Sequence, residues 1–191
     1  MHRLDAHQPR TSSTLTLLPG DTITQTFLSN YNNLDIVSIC LRNQDRLLQP
    51  LTFTLSNQQG EILRTIPIST GNIDNQDCTK FQFDPITNSA DNTFSATITV
   101  ATGSSVAAPG TQPITVEAYT GTDYPQGIAL KNMVDTNLDL HFKTFYSQSY
   151  TSVVSESLSQ ILPRLGGDWV FSIFWALTVG YLIFKLIKRP H

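Results

Sequence analysis

Cysteine is nearly missing from this sequence. Cys40 and Cys78 are the only two, which permits one disulfide and excludes a disulfide scaffold. No CxxC and no closely spaced Cys/His set marks a zinc ribbon or finger. Charge is also scarce: Asp, Glu, Lys and Arg make up 14% of the 191 residues, against a usual quarter. Tryptophan occurs only at Trp169 and Trp175, both near the C-terminus. None of the eleven asparagines stands in an N-x-Ser/Thr acceptor, which argues against a eukaryotic secreted glycoprotein. There is no G-x-S-x-G, no P-loop and no paired-carboxylate motif with supporting context. Of the four histidines, His2, His7 and His191 lie near the termini, and His141 falls on an alternating stretch where solvent exposure is the default. These absences exclude the common enzyme classes, so the sequence predicts a protein without catalytic activity and without a cofactor.

What charge there is lies unevenly. All 15 acidic residues fall at or before Asp168, with nine Lys and Arg, giving 9 − 15 = −6. Beyond Asp168 come only Lys185, Lys188 and Arg189, giving +3. An acidic body with a basic tip does not suit nucleic-acid binding.

The basic tip closes the one long apolar run. Trp169 to Phe184 are sixteen consecutive uncharged residues, and Leu186 and Ile187 follow Lys185. A helix through Ile187 would reach roughly 28 Å, near the bilayer hydrocarbon thickness. Trp169 and Tyr181 lie towards its ends as interfacial anchors, Trp175 lies mid-span, and the Lys185 stem can snorkel. The positive-inside rule keeps Lys185, Lys188 and Arg189 cytoplasmic and puts the body on the far side. The first 21 residues lack the apolar core of a signal peptide. N-out insertion without a signal, an upstream export segment and a cytosolic, tail-anchored body are therefore all open, and the fold expected below favours an exported body. Leu162–Gly167, "LPRLGG", has the placement of a cell-wall sorting signal, but Leu165 stands where that motif requires Thr. Pro163 and Gly166-Gly167 then read as punctuation before the span.

The body reads as strands. "DTITQTFLS" alternates Ile23, Gln25 and Phe27 against Thr22, Thr24 and Thr26. "LDIVSICL" puts Val37, Ile39 and Leu41 on one face and Cys40 on the other. "PLTFTLS" and "EILRTIPI" flank "NQQG", a hairpin turn. "KFQFD" runs into Pro85, and "TFSATITV" and "PITVEAYT" flank a long soft loop. In all, about nine or ten short strands and no helix are expected before residue 147. From 147 to 162, Tyr150, Val153, Val154, Leu158, Ile161 and Leu162 recur at helical spacing, predicting a short amphipathic helix. Its polar face lacks the cations of a lipid-seeking helix. The expected fold is therefore all-β: a two-sheet, jelly-roll-like β-sandwich, followed by a short amphipathic helix and one C-terminal transmembrane helix. The expected boundaries are 1–13, a disordered or frayed N-terminus; 14–146, the sandwich; 147–167, the amphipathic helix and linker; 168–188, the transmembrane helix; and 189–191, the cytoplasmic tip.

Two stretches carry a resemblance. "FQFDPITNSADNTFSATITV" (81–100) resembles an F-x-F-x-P-I-x-x-S pattern closed by an aromatic, and "LDLHFKTFY" (138–146) resembles a closing D-L-x-F-x-x-Y strand. With "SICLRNQDRLLQPLTFTLSNQQGEILRT" (38–65), they are similar to carbohydrate-binding-module-like jelly-roll ectodomains of bacterial membrane and cell-envelope proteins. The resemblance implies an extracytoplasmic setting and an envelope glycan as what the body binds; the alternative reading is a non-catalytic structural or accessory subunit of a membrane-protein complex, binding its partner through the sandwich and the 147–187 helices. Sugar sites use aromatic platforms beside amides and carboxylates. The candidates here are Tyr31, Tyr119 and Tyr124, with Asn32 and Asp123 near them in sequence. "NIDNQD" (72–77) offers Asp74 and Asp77 as weak calcium candidates, without the spacing of an EF-hand.

Overall fold

The computed structural model describes residues 1–102, 110–121, 124–149 and 169–187; within these, the side chains at 72, 169–172, 182–184, 186 and 187 are outside the description. The chain divides into two compact units, residues 2–147 and residue 1 with 148–191.

The larger unit is all-β. Its strands are β1 (His2–Gln8), β2 (Ser13–Thr16), β3 (Thr22–Ser29), β4 (Leu34–Ile39), β5 (Leu41–Arg42), β6 (Leu51–Asn57), β7 (Ile62–Ile68), β8 (Thr79–Ile86), β9 (Asn92–Val100), β10 (Thr115–Tyr119), β11 (Ala129–Lys131), β12 (Val134–Asp135), β13 (Asp139–Leu140) and β14 (Phe142–Ser147). Every ladder is antiparallel. Three sheets result, in the orders β1-β14-β4-β8, β13-β10-β2 with β5 also on β10, and β12-β11-β3-β9-β6-β7.

The six-stranded sheet carries the cleanest alternation. Ile23, Gln25, Phe27 and Ser29 of β3 are buried and their neighbours half-buried, as the sequence predicts. Phe53 of β6, and Phe94, Ala96 and Ile98 of β9, continue the same inner face. This face packs on the β1-β14-β4-β8 sheet: Phe53 stacks on Phe81 at 4.2 Å, and Phe27 meets Phe142 at 6.0 Å. The packing of two sheet faces through interdigitated aromatics is sandwich-like. Gln25 is the polar exception on the inner face. Its Oε1 accepts the Leu140 N–H at 2.8 Å and its amide donates to the Thr26 carbonyl, so a buried amide is satisfied while linking β3 to β13.

Turn chemistry matches the local sequence. Asn57 Oδ1 accepts the N–H groups of Gln59 and Glu61, and Gly60 takes φ +80°, closing β6 onto β7. Asn132 and Met133 both have positive φ in the two-residue turn between β11 and β12, the type I′ pattern of a tight hairpin. Pro85 lies on β8, an edge strand, where its missing donor leaves no ladder bond unmade.

The N-terminus is not frayed, contrary to expectation. Residues 2–8 form β1, paired with β14 from His2↔Ser147 to Gln8↔Phe142. Asp5 fastens it further, accepting hydrogen bonds from Ser29 Oγ and from the backbone and side-chain amides of Asn30. The strand holds by ladder bonds and polar contacts, and only Ala6 contributes a buried apolar side chain. The expected 147–162 helix starts on Ser147, which belongs to β14; residues 150–168 lie outside the described residues, as does the 103–109 part of the soft loop.

In the smaller unit, Trp169–Ile187 form a 19-residue helix, α1. Ile173, Phe174, Trp175, Leu177 and Tyr181 are each more than half exposed on it, and Thr178 Oγ1 donates to the Phe174 carbonyl. Among the described residues, no helix is long and apolar enough to cross a membrane. Lys188 and Arg189 lie outside them.

Candidate functional site

Two neighbouring strand runs are interrupted at one corner, at Cys40 and at His141, and the chemistry collects there. Ile39 of β4 pairs with Thr79 of β8 and with Phe142 of β14. The next residue out in this antiparallel row is Cys40, set between Cys78 on one side and His141 on the other. Cys40 separates β4 from β5, and His141 separates β13 from β14, so the chain passes from one sheet to the next through these two residues. The Cys40 N–H donates to the His141 carbonyl, the His141 N–H to the Glu117 carbonyl, and the Glu117 N–H to the Cys40 carbonyl. Three backbones are thereby closed into one ring of bonds, which fixes where the side chains stand.

Cys40 and Cys78 are joined by a disulfide, with Cα atoms 4.0 Å apart. His141 Nδ1 lies 3.0 Å from Glu117 Oε2 and 2.9 Å from Thr11 Oγ1. The other carboxylate oxygen receives Arg42 Nε at 2.7 Å and Nη2 at 2.6 Å. Burial pushes the Glu117 carboxyl up, but the hydrogen bonds from His141 and Thr11 and the Arg42 guanidinium outweigh it, leaving the group below its ordinary range. His141 is therefore not the solvent-facing side chain expected from its strand phase; it is 15% exposed and held by a carboxylate.

Arg42 also explains the 72–77 loop. Its Nη1 donates to the carbonyls of Asp74 and Asp77, so a guanidinium gathers the oxygens that a calcium ion would use. The carboxylates face local donors instead: Asp74 Oδ1 accepts the Gln76 N–H and Asp77 Oδ1 the Cys78 N–H. Among the described residues, neither aspartate joins a group of three or more side chains able to share a metal.

The three candidate tyrosines are not one platform. Tyr124 is buried: its hydroxyl accepts the Leu28 N–H at 2.9 Å and its ring meets Phe142 edge-on at 5.1 Å. Burial, followed by the Asp5 and Asp139 charges, raises its phenol above the ordinary value against the opposing Leu28 bond. At 7% exposure this ring offers no exposed stacking surface; a sequence cannot tell a rim tyrosine from one folded under it. Tyr31 is half-exposed and stacks on Tyr146 at 4.5 Å. Tyr119 is half-buried on β10, with the Arg10 guanidinium over its ring at 5.7 Å. Asn32 turns its Oδ1 to the Ala90 N–H, and Asp123 lies outside the described residues.

Tyr124 does form one wall of a surface cleft of about 360 Å³, with Gly121, Gly127, Asp135, Asn137 and Asp139 among its lining. The glycines are there for space. A Cβ on Gly127 would strike the Thr26 carbonyl and the Tyr124 ring, and one on Gly121 would press into the Tyr119 ring. Tyr119 packs beside Gly121 and does not itself line the cleft. Asp135 is exposed, with Oδ1 accepting the Asn137 N–H at 2.8 Å. A second cleft of about 210 Å³ is lined by amides, but Asn57 and Asn92 there serve their own turns. The sequence signal for the larger cleft was the run of turn residues from 121 to 127; nothing in it pointed to Asp135 or Asp139.

A comparison with protein-family models and with curated proteins finds no match to this chain.

Proposed function

We propose that this chain is a single-pass, membrane-anchored binding module without catalytic activity. A jelly-roll-like β-sandwich forms its extracytoplasmic body, and residues 168–188 cross the bilayer with Lys185, Lys188 and Arg189 on the cytoplasmic side. Its ligand is an envelope glycan, taken in the Tyr124 cleft. The observation that carries this reading is that cleft: an open site of sugar-ring size, lined by Tyr124, Gly121 and Gly127 and by the carboxylate and amide side chains of Asp135, Asn137 and Asp139. The disulfide supports a body in an oxidising compartment. The uncharged run Trp169–Phe184 in the sequence and the cations Lys185, Lys188 and Arg189 at its end support the anchor.

One observation favours a second reading, an accessory subunit that docks a membrane-protein partner. Ile128, Met133 and Val134 stand exposed together on the β11–β12 hairpin, at the edge of the six-stranded sheet. The two readings separate on the full-length chain in mild detergent. Saturable binding on an array of bacterial envelope glycans supports the module. A blank array together with a stoichiometric membrane-protein partner on purification overturns it in favour of the subunit.

A further inference from the structure

The corner cluster offers more than a staple. Cys40 Sγ, Cys78 Sγ and a ring nitrogen of His141 all lie within 4.8 Å of one another, and among the described residues this is the only such group of three. The three sit at the ends of different strands, with the two cysteines 38 residues apart in sequence, so no local motif announces them. Two thiolates and an imidazole suit zinc, a borderline-soft ion that prefers S and N donors in a tetrahedral set.

The surroundings fit that use. His141 engages Glu117 and Thr11 through Nδ1, so Nε2 is the ring nitrogen those two partners do not use. An imidazole that gives one nitrogen to a metal and the other to a carboxylate is the usual arrangement at such sites, because the carboxylate fixes the tautomer and raises the ligand's basicity. Glu117 is itself clamped by Arg42 on its other oxygen, so the ring orientation is set before any ion arrives. Cys40 is buried, while Cys78 and His141 are half-buried, giving the site a protein side and a solvent side. A fourth ligand, water or an external group, would enter from the solvent side.

We propose that the Cys40–Cys78 pair is a two-state element: a disulfide when oxidised, and with His141 a zinc site when reduced. A dithiol reductant breaks the S–S bond, delivering two electrons and two protons, and its own two sulfurs close into a disulfide. Zn²⁺ then binds the two sulfurs and His141 Nε2, and the two thiol protons leave to solvent. The states exclude each other, since a sulfur held in a disulfide has no thiolate to offer. Glu117 acts through His141 as a positioning residue. This inference does not rest on the glycan reading.

The test uses the full-length chain in detergent, reduced and freed of reductant, and titrated with Co²⁺ as a spectroscopic probe. The expected result is one Co²⁺ per chain, with a thiolate-to-cobalt charge-transfer band that Zn²⁺ abolishes; the oxidised chain gives no band. Glu117→Gln should weaken Co²⁺ binding about 10–100-fold, the usual consequence of losing a ligand's supporting shell, and His141→Gln should weaken it at least as much. Reduced wild-type chain that shows no charge-transfer band, folded or unfolded, overturns the proposal. So does a His141→Gln chain that binds Co²⁺ as tightly and with the same spectrum as wild type.

Discussion

Removing the disulfide by the double substitution Cys40→Ala, Cys78→Ala should cost the body a large part of its stability. The two cysteines are 38 residues apart, and the segment between them holds β6, β7 and the 72–77 loop. Cross-linking at this spacing removes about 13 cal/mol/K of chain entropy from the unfolded state, or about 3.9 kcal/mol near room temperature. The folded state loses little in return, because the β4–β8 ladder brings the same backbones together with or without the bond. For a body of this size the loss corresponds to a fall in Tm of about 8–16 °C. The assay must report on the body. Both tryptophans lie in α1, so their fluorescence does not. Urea unfolding followed by amide hydrogen exchange at β4 and β14 does, with a chelator present to keep metals from the pair. A loss below about 1 kcal/mol would refute the reasoning, since it would mean that the unfolded chain gains no freedom from the cut.

The remaining predictions concern the cleft and the buried carboxylates. Gly127→Ala forces a methyl into the Thr26 carbonyl and should destabilise by about 1–3 kcal/mol or more, measured by thermal unfolding. Tyr124→Phe leaves the Leu28 N–H without its acceptor and should cost about 1–3 kcal/mol in urea titration, against no loss if the hydroxyl were merely at the rim. Asp35 is buried; burial raises its carboxyl, while His2 opposes this by charge and by a hydrogen bond to Oδ2. Its ionised form is therefore disfavoured in the folded state, and stability falls as the pH rises past the ordinary aspartate value of 3.8. Asp35→Asn should then be more stable than wild type at neutral pH and no more stable at about pH 3, read from paired unfolding curves. Glu117 and Asp21 have the opposite sign. Burial raises both, but their partners outweigh it and hold them low, so their contribution is present above 4.5 and 3.8 and disappears as the pH falls through their folded values. Acid titration of Glu117→Gln should accordingly show a shallower loss of stability than wild type.

Much of the fold was legible because alternation reports burial directly. β3, β6 and β9 each place every second residue on the core, and their sequences say so. β1 was not legible: it has one buried apolar residue, and what holds it is a ladder to β14 well over a hundred residues away. β4 hid its two-sidedness, since all six of its residues are buried and Cys40 continues the run. The corner cluster could be seen only in part. Two cysteines announce a possible bridge, but His141 reaches Glu117 through a change of sheet that strand periodicity does not encode. The tyrosines mislead for a related reason: a ring beside a glycine turn has the same sequence signature whether it is buried, as Tyr124 is, or half-buried on a strand, as Tyr119 is. The setting of the calcium candidates Asp74 and Asp77 is fixed at a longer range still, because the group that organises their carbonyls is Arg42 on β5.

The central claim is that the Tyr124 cleft binds a glycan, and the direct measurement is a calorimetric titration of the full-length chain with an array-selected envelope oligosaccharide. Asp135→Asn is the paired variant. Its amide oxygen can still accept the Asn137 N–H, so the turn is kept while the carboxylate is lost. A sugar hydroxyl bonded to that charge should make the variant weaker by about 10–100-fold. Equal affinity in the two chains, or no heat with any oligosaccharide, would contradict the account.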